Sequence, residues 1–197
     1  IEFHKKVAEA TENSLVMVVH DVIIQLTRAS RKKTIEKVIE KGDKEYSEEE
    51  KVEMAERKND YYKEMLQSLD DSAVLPGAFD TLKMLRDRGI LTAVGSASKN
   101  APLILEKTGL LPLIDKISCG LDVTKSKPDP EVFLVAASKL ELTPENCLVV
   151  EDAKAGIDAA KAGGMKSLGV GPFHEELGAD FHSRTLATVD NWEEILC

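Results

Sequence analysis

The sequence predicts an α/β fold: a Rossmann-like parallel sheet core joined to a small α-helical cap domain. Three observations lead there. From residue 75 onward, short β-rich runs alternate with amphipathic helical stretches, the pattern of a parallel sheet with helices on both faces. Between about residues 28 and 70 the chain is instead charged and helix-prone, with Gly42 as its one Gly or Pro. Leu75-Pro76-Gly77 then breaks the helical pattern and separates the two regions. The division expected is a cap over 1–73, with 14–26 alternatively a core strand, and an α/β core over 74–197.

Taken in order, Leu15–Val19 and Val22–Ile24 are rich in β-branched residues and read as a buried strand. Ser30 caps a helix that runs to Lys41 and stops at Gly42. Ser47-Glu48-Glu49-Glu50 fits a capping box and opens a second helix to about Ser68, so the two helices form a hairpin. The core then follows: helix 78–88 stopped by Gly89, strand Ile90–Val94, helix 101–108 stopped by Gly109, and strand Lys116–Cys119. Asp129-Pro130 starts a helix that lasts to Leu140. Strand Cys147–Val150, helix Ala153–Ala162, strand Lys166–Val170 and a last helix near Asn191–Leu196 complete the chain.

The bulk composition narrows the function. Lys and Arg number 26 against 35 Asp and Glu, a net charge of −9, which disfavours nucleic acid as a partner. Three cysteines, an odd number with no C-x-x-C, argue against a disulfide framework and against a zinc site, and point to a reduced, cytoplasmic setting. No apolar run reaches the length of a membrane span. The chain opens on Ile1-Glu2-Phe3-His4 without an initiator Met or a signal-peptide pattern, as a fragment or a processed chain would. His174-Glu175 is not followed by a second His at zincin spacing, and neither a P-loop nor G-x-S-x-G occurs.

In parallel α/β sheets, ligands sit beyond the carboxyl ends of the strands. Three loops there carry candidate chemistry. Gly95-Ser96-Ala97-Ser98-Lys99-Asn100 offers hydroxyls, backbone N–H groups and a following helix start, an anion site or a plain turn. Lys125-Ser126-Lys127-Pro128-Asp129-Pro130 holds a lysine on a stiff loop, able to neutralise a transferring phosphate or simply solvated beside a helix cap. Glu151-Asp152 places two carboxylates at a strand end, suited to Mg²⁺ or to the positive end of the helix that follows. Together they supply the parts needed to hold Mg²⁺ and a phosphoryl group.

These loops, in this order and spacing, resemble the haloacid dehalogenase superfamily, and more narrowly its beta-phosphoglucomutase branch. The resemblance is carried by Gly95–Asn100, by Ser126-Lys-Pro-Asp-Pro-Glu-Val-Phe and by Val150-Glu-Asp-Ala-Lys-Ala-Gly-Ile. It extends to Ser30-Arg31, Arg57-Lys58-Asn59-Asp60-Tyr61 and Leu75-Pro76-Gly77, and covers residues 26–197. It implies that Ser96 and Lys127 hold the transferring phosphoryl group and that Glu151 and Asp152 bind Mg²⁺. It further implies that Ser98, Lys99 and Asn100 contact a sugar phosphate from the core, and Ala29, Arg31 and Lys58 from the cap. The implied reaction converts β-glucose 1-phosphate to glucose 6-phosphate, in a monomer whose partner is a small sugar phosphate. A sugar phosphatase of the same superfamily is the near alternative.

One part of the pattern is missing. The family's nucleophile and general acid are the two aspartates of an Asp-x-Asp-Gly motif at the end of the first strand, and this chain contains no such motif. Either the chain starts inside the cap and lacks that strand, or residues 15–24 take its place. In the second case Val19-His20-Asp21 stands where the motif belongs, with Asp21 as the one candidate acid and His20 a poor ligand for a hard metal. A catalytically inactive binder of sugar phosphate and Mg²⁺ therefore stands as a further alternative.

Overall fold

The computed structural model describes Val16–Val19, Ser47, Glu49, Asp60, residues 62–64 and residues 66–196. Six strands form one parallel sheet: β1 (Val16–Val19), β2 (Thr92–Gly95), β3 (Lys116–Ser118), β4 (Cys147–Glu151), β5 (Lys166–Val170) and β6 (Phe181–Ser183). Their order is β3-β2-β1-β4-β5-β6. The sheet is doubly wound, and its order reverses at β1, between β2 and β4.

Residues 16–19 thus lie in the core sheet. Val18 pairs with Ala93 on one side and with Val149 on the other. The physical reason is the ladder: without a strand in this place, β2 and β4 would each present an unpaired row of backbone groups inside the molecule.

Among the described residues, the α-helices of the core are α1 (Ala78–Asp87), α2 (Ala101–Lys107), α3 (Glu131–Lys139), α4 (Lys154–Ala162) and α5 (Trp192–Ile195). Side chains alternate across β4. Leu148 and Val150 face one apolar cluster with Leu82 and Leu85 of α1 and Ile104 and Leu105 of α2. Cys147 and Val149 face a second cluster with Val132, Phe133, Ala136 and Ala137 of α3 and Ala159 and Ala160 of α4. This two-sided burial explains why residues 147–150 of β4 are apolar without a break. Asp60, residues 62–64 and Leu66 are helical, within the stretch expected to form the second cap helix. The expected helix 30–41 lies outside the described residues.

The junction at Gly77 is tight. Its backbone is left-handed (φ 85°), and a Cβ there would come within 2.3 Å of the Ala187 nitrogen. A residue with a side chain meets both a conformational and a steric barrier at this place. Strand β6 (Phe181–Ser183), at the sheet edge beside β5, was not among the strands expected from the sequence.

Candidate active site

The switch in strand order places the carboxyl ends of β2 and β4 on either side of β1, and the three candidate loops issue from this end of the sheet. Glu151 is the last residue of β4, and its side chain is 1% exposed. A carboxylate buried that deeply needs partners on both oxygens. Its Oε2 accepts from the backbone N–H groups of Asp152 (3.1 Å) and Ala153 (3.2 Å). Its Oε1 accepts from the Lys127 ammonium, whose side chain is 11% exposed.

The Lys127 Nζ also lies 4.7 Å from the centre of the Phe133 ring, a cation–π contact at the buried start of α3. The loop that carries Lys127 is tied at both ends. Thr124 and Lys125 donate backbone N–H groups to the Glu131 carboxylate at 2.9 and 2.6 Å. These two bonds hold the Glu131 carboxyl below the usual range. On the other side, the Asp129 N–H donates to the Ser126 carbonyl (3.1 Å) and the Asp129 carboxylate accepts from the Glu131 N–H (3.0 Å). Helix α3 therefore starts one residue later than expected, with Pro130 in the cap position and Asp129 serving its first turn.

Helix α4 begins directly against Glu151. A Cβ on Gly156 would come within 2.2 Å of the Glu151 Cδ, so only glycine lets this helix approach the carboxylate. Asp152 is half-buried just beyond the strand. Two carboxylates at a strand end offer the hard oxygen donors that suit Mg²⁺, with water and phosphate oxygens free to complete an octahedral shell.

Ser96 is buried at the end of β2, and its N–H donates to the Ser118 carbonyl at 2.9 Å. Its Oγ accepts from the Ser98 N–H (3.1 Å), and the Ser98 Oγ accepts from the Asn100 N–H (3.2 Å). Ser98 and Asn100 are half-buried and Lys99 is exposed. This loop leans on the turn after β3: a Cβ on Gly120 would lie 2.4 Å from the Ala97 carbonyl oxygen. Gly120 and Gly156 are the two positioning residues that sequence reasoning passed over. Gly120 shows in the sequence only as a glycine, because its packing partner Ala97 lies on another loop, while Gly156 stands inside the quoted Val150–Ile157 motif and packs on the Glu151 of that same motif.

The structure thus brings Lys127 into contact with Glu151, sets Asp152 beside them, and puts Ser96, Ser98, Lys99 and Asn100 at the same end of the sheet. Ala29, Arg31, Lys58 and Asp21 lie outside the described residues.

Comparison with known proteins agrees with this architecture. Residues 7–170 match the family model described as haloacid dehalogenase-like hydrolase. Beta-phosphoglucomutase from Bacillus subtilis is 34% identical over 182 residues, 88% of this chain and 80% of that protein. Phosphoglycolate phosphatase from Salmonella typhi is 33% identical over 159 residues, 76% of this chain and 62% of that protein. The crystal structure of beta-phosphoglucomutase from Clostridium difficile superposes with a TM-score of 0.82 at 30% identity, covering 93% of this chain and 95% of that one. The chain belongs to the haloacid dehalogenase-like hydrolase family, with close similarity in sequence and fold to beta-phosphoglucomutase-like enzymes.

Proposed function

We propose that this chain carries out Mg²⁺-dependent phosphoryl transfer on a hexose phosphate, converting β-glucose 1-phosphate to glucose 6-phosphate. The observation that carries the reading is the buried Lys127–Glu151 pair beside Asp152, at the switch point of the sheet. Glu151 and Asp152 would hold the Mg²⁺. When bound, it supplies positive charge against the phosphoryl oxygens. Lys127, fixed by its loop and by Phe133, supplies a second positive charge to the same group. The Ser96 hydroxyl orients the group, while Ser98, Lys99 and Asn100 meet the sugar phosphate from the core. Ala29, Arg31 and Lys58 would meet it from the cap, Arg31 by a two-pronged grip on the phosphate that is not transferred.

The partner in this reading is a small sugar phosphate met by a monomer in the cytoplasm. Among the described residues, no helix is long and apolar enough to cross a membrane. A ³¹P NMR time course with β-glucose 1-phosphate and Mg²⁺ tests the reading. Growth of the glucose 6-phosphate signal is expected. Growth of inorganic phosphate alone would instead make the chain a sugar phosphatase.

A second reading is favoured by one observation. Strand β1 reads Val16-Met17-Val18-Val19 and is followed by His20-Asp21, so the Asp-x-Asp pair has no counterpart there. On that reading the chain binds sugar phosphate and Mg²⁺ without turnover. Calorimetric binding of glucose 6-phosphate, with no change in the ³¹P spectrum over hours, would establish it.

A further inference from the structure

A second cluster of ligating side chains, sharing no residue with the candidate active site, lies on the connection between β5 and β6 and on β6 itself. His174 and Glu175 open the 3-10 turn His174–Leu177, and His182 is the middle residue of β6. One ligand atom from each of the three lies within 4.8 Å of the others. The two imidazole rings stack, with centres 5.5 Å apart and planes 27° from parallel.

The fold arranges this meeting. Gly169 of β5 pairs with His182, and a Cβ on Gly169 would come within 3.2 Å of the His174 carbonyl oxygen. The missing side chain lets the turn lie close over the strand pair, which brings residue 174 beside residue 182. The His174 Nδ1 is buried and has no hydrogen-bond partner. A buried imidazole nitrogen without a partner keeps its desolvation cost uncompensated, so the position calls for a ligand.

We infer that His174, Glu175 and His182 form a binding site for a borderline divalent transition ion of the Zn²⁺ class. The donor set decides the class. Two imidazoles and one carboxylate suit Zn²⁺, Ni²⁺ or Cu²⁺, whereas Mg²⁺ and Ca²⁺ take oxygen donors. The Glu175 carboxylate opposes an anion in the same place. Three protein ligands leave a fourth position for water, as in open tetrahedral sites. Bonds of about 2.0–2.2 Å require the donors to draw closer than 4.8 Å. Glu175 and His182 are exposed and have the rotamer freedom to do so. The ion would tie the turn to edge strand β6, and the site stands independently of the phosphoryl-transfer reading.

The test is isothermal titration of the whole chain with Zn²⁺ in excess Mg²⁺. Wild type is expected to bind one Zn²⁺. His182→Asn, an exposed change, is expected to weaken binding at least about tenfold, with Mg²⁺-dependent behaviour unchanged. No Zn²⁺ binding by wild type, or equal affinity in His182→Asn, would overturn the site. Should His182→Asn fail to fold, substoichiometric Cu²⁺ added to wild type decides through histidine ring NMR, with His4→Asn and His20→Asn assigning the other two signals. Broadening of His174 and His182 ahead of His4 and His20 supports the site, and any other pattern overturns it.

Discussion

At the scale of single residues, the Lys127–Glu151 pair dominates. Removing one partner of a buried ion pair leaves an uncompensated charge, so Lys127→Met is expected to destabilise the chain by about 3–5 kcal/mol in urea unfolding. Asp122 is the residue whose pH behaviour is most readily tested. The Lys139 ammonium, 2.7 Å away, and the backbone N–H of Cys119, at 2.8 Å, hold its carboxyl below the usual range. A lowered pKa means that the unfolded chain takes up the proton first. The stabilisation is therefore present above the unfolded value of about 3.9 and is lost as pH falls through the folded value. Asp122→Asn is expected to flatten the acid limb of the stability curve, measured as the urea midpoint between neutral pH and pH 3. Cys147 behaves in the opposite sense. Burial, and secondarily Glu145, push its thiol up to about 12, so it stays protonated and inert. Iodoacetamide is expected to leave Cys147 unmodified in the folded chain and to label it after unfolding.

At the scale of elements, the closest packing lies where α4 meets the end of β4. Gly156→Ala would drive a methyl group into the Glu151 carboxylate, which cannot move without losing Lys127 or its backbone donors. Overpacking of this kind costs about 1–3 kcal/mol, read from thermal or urea unfolding. The elements themselves were largely legible. The 3.6 and 2 periodicities, with Gly and Pro as punctuation, locate α1 to α4 and β2 to β5 within a residue or two of their observed limits. Strand β6 was not expected from the sequence, and it exists through pairing with β5.

At the scale of the whole molecule, β1 holds the two halves of the sheet together. It pairs with β2 and β4 through its backbone, and proline can donate no ladder bond in a central strand. Val18→Pro is therefore expected to abolish cooperative unfolding, seen as loss of the sigmoidal thermal transition in circular dichroism. The sequence alone carried the fold class, the helix and strand punctuation, and the residue types that suit Mg²⁺ and phosphate, since these depend on local periodicity and on short motifs. It left open whether residues 15–24 belong to a cap or to the sheet, because a β-branched run has the same local preference in either setting. Only the tertiary structure decided that Val16–Val19 completes the ladder between β2 and β4. Only it put Lys127 on Glu151, 24 residues away, and His182 beside His174. The first meeting follows from the parallel sheet, which brings loops after separate strands to one end, and the second from the pairing of β6 with β5 beneath the His174–Leu177 turn.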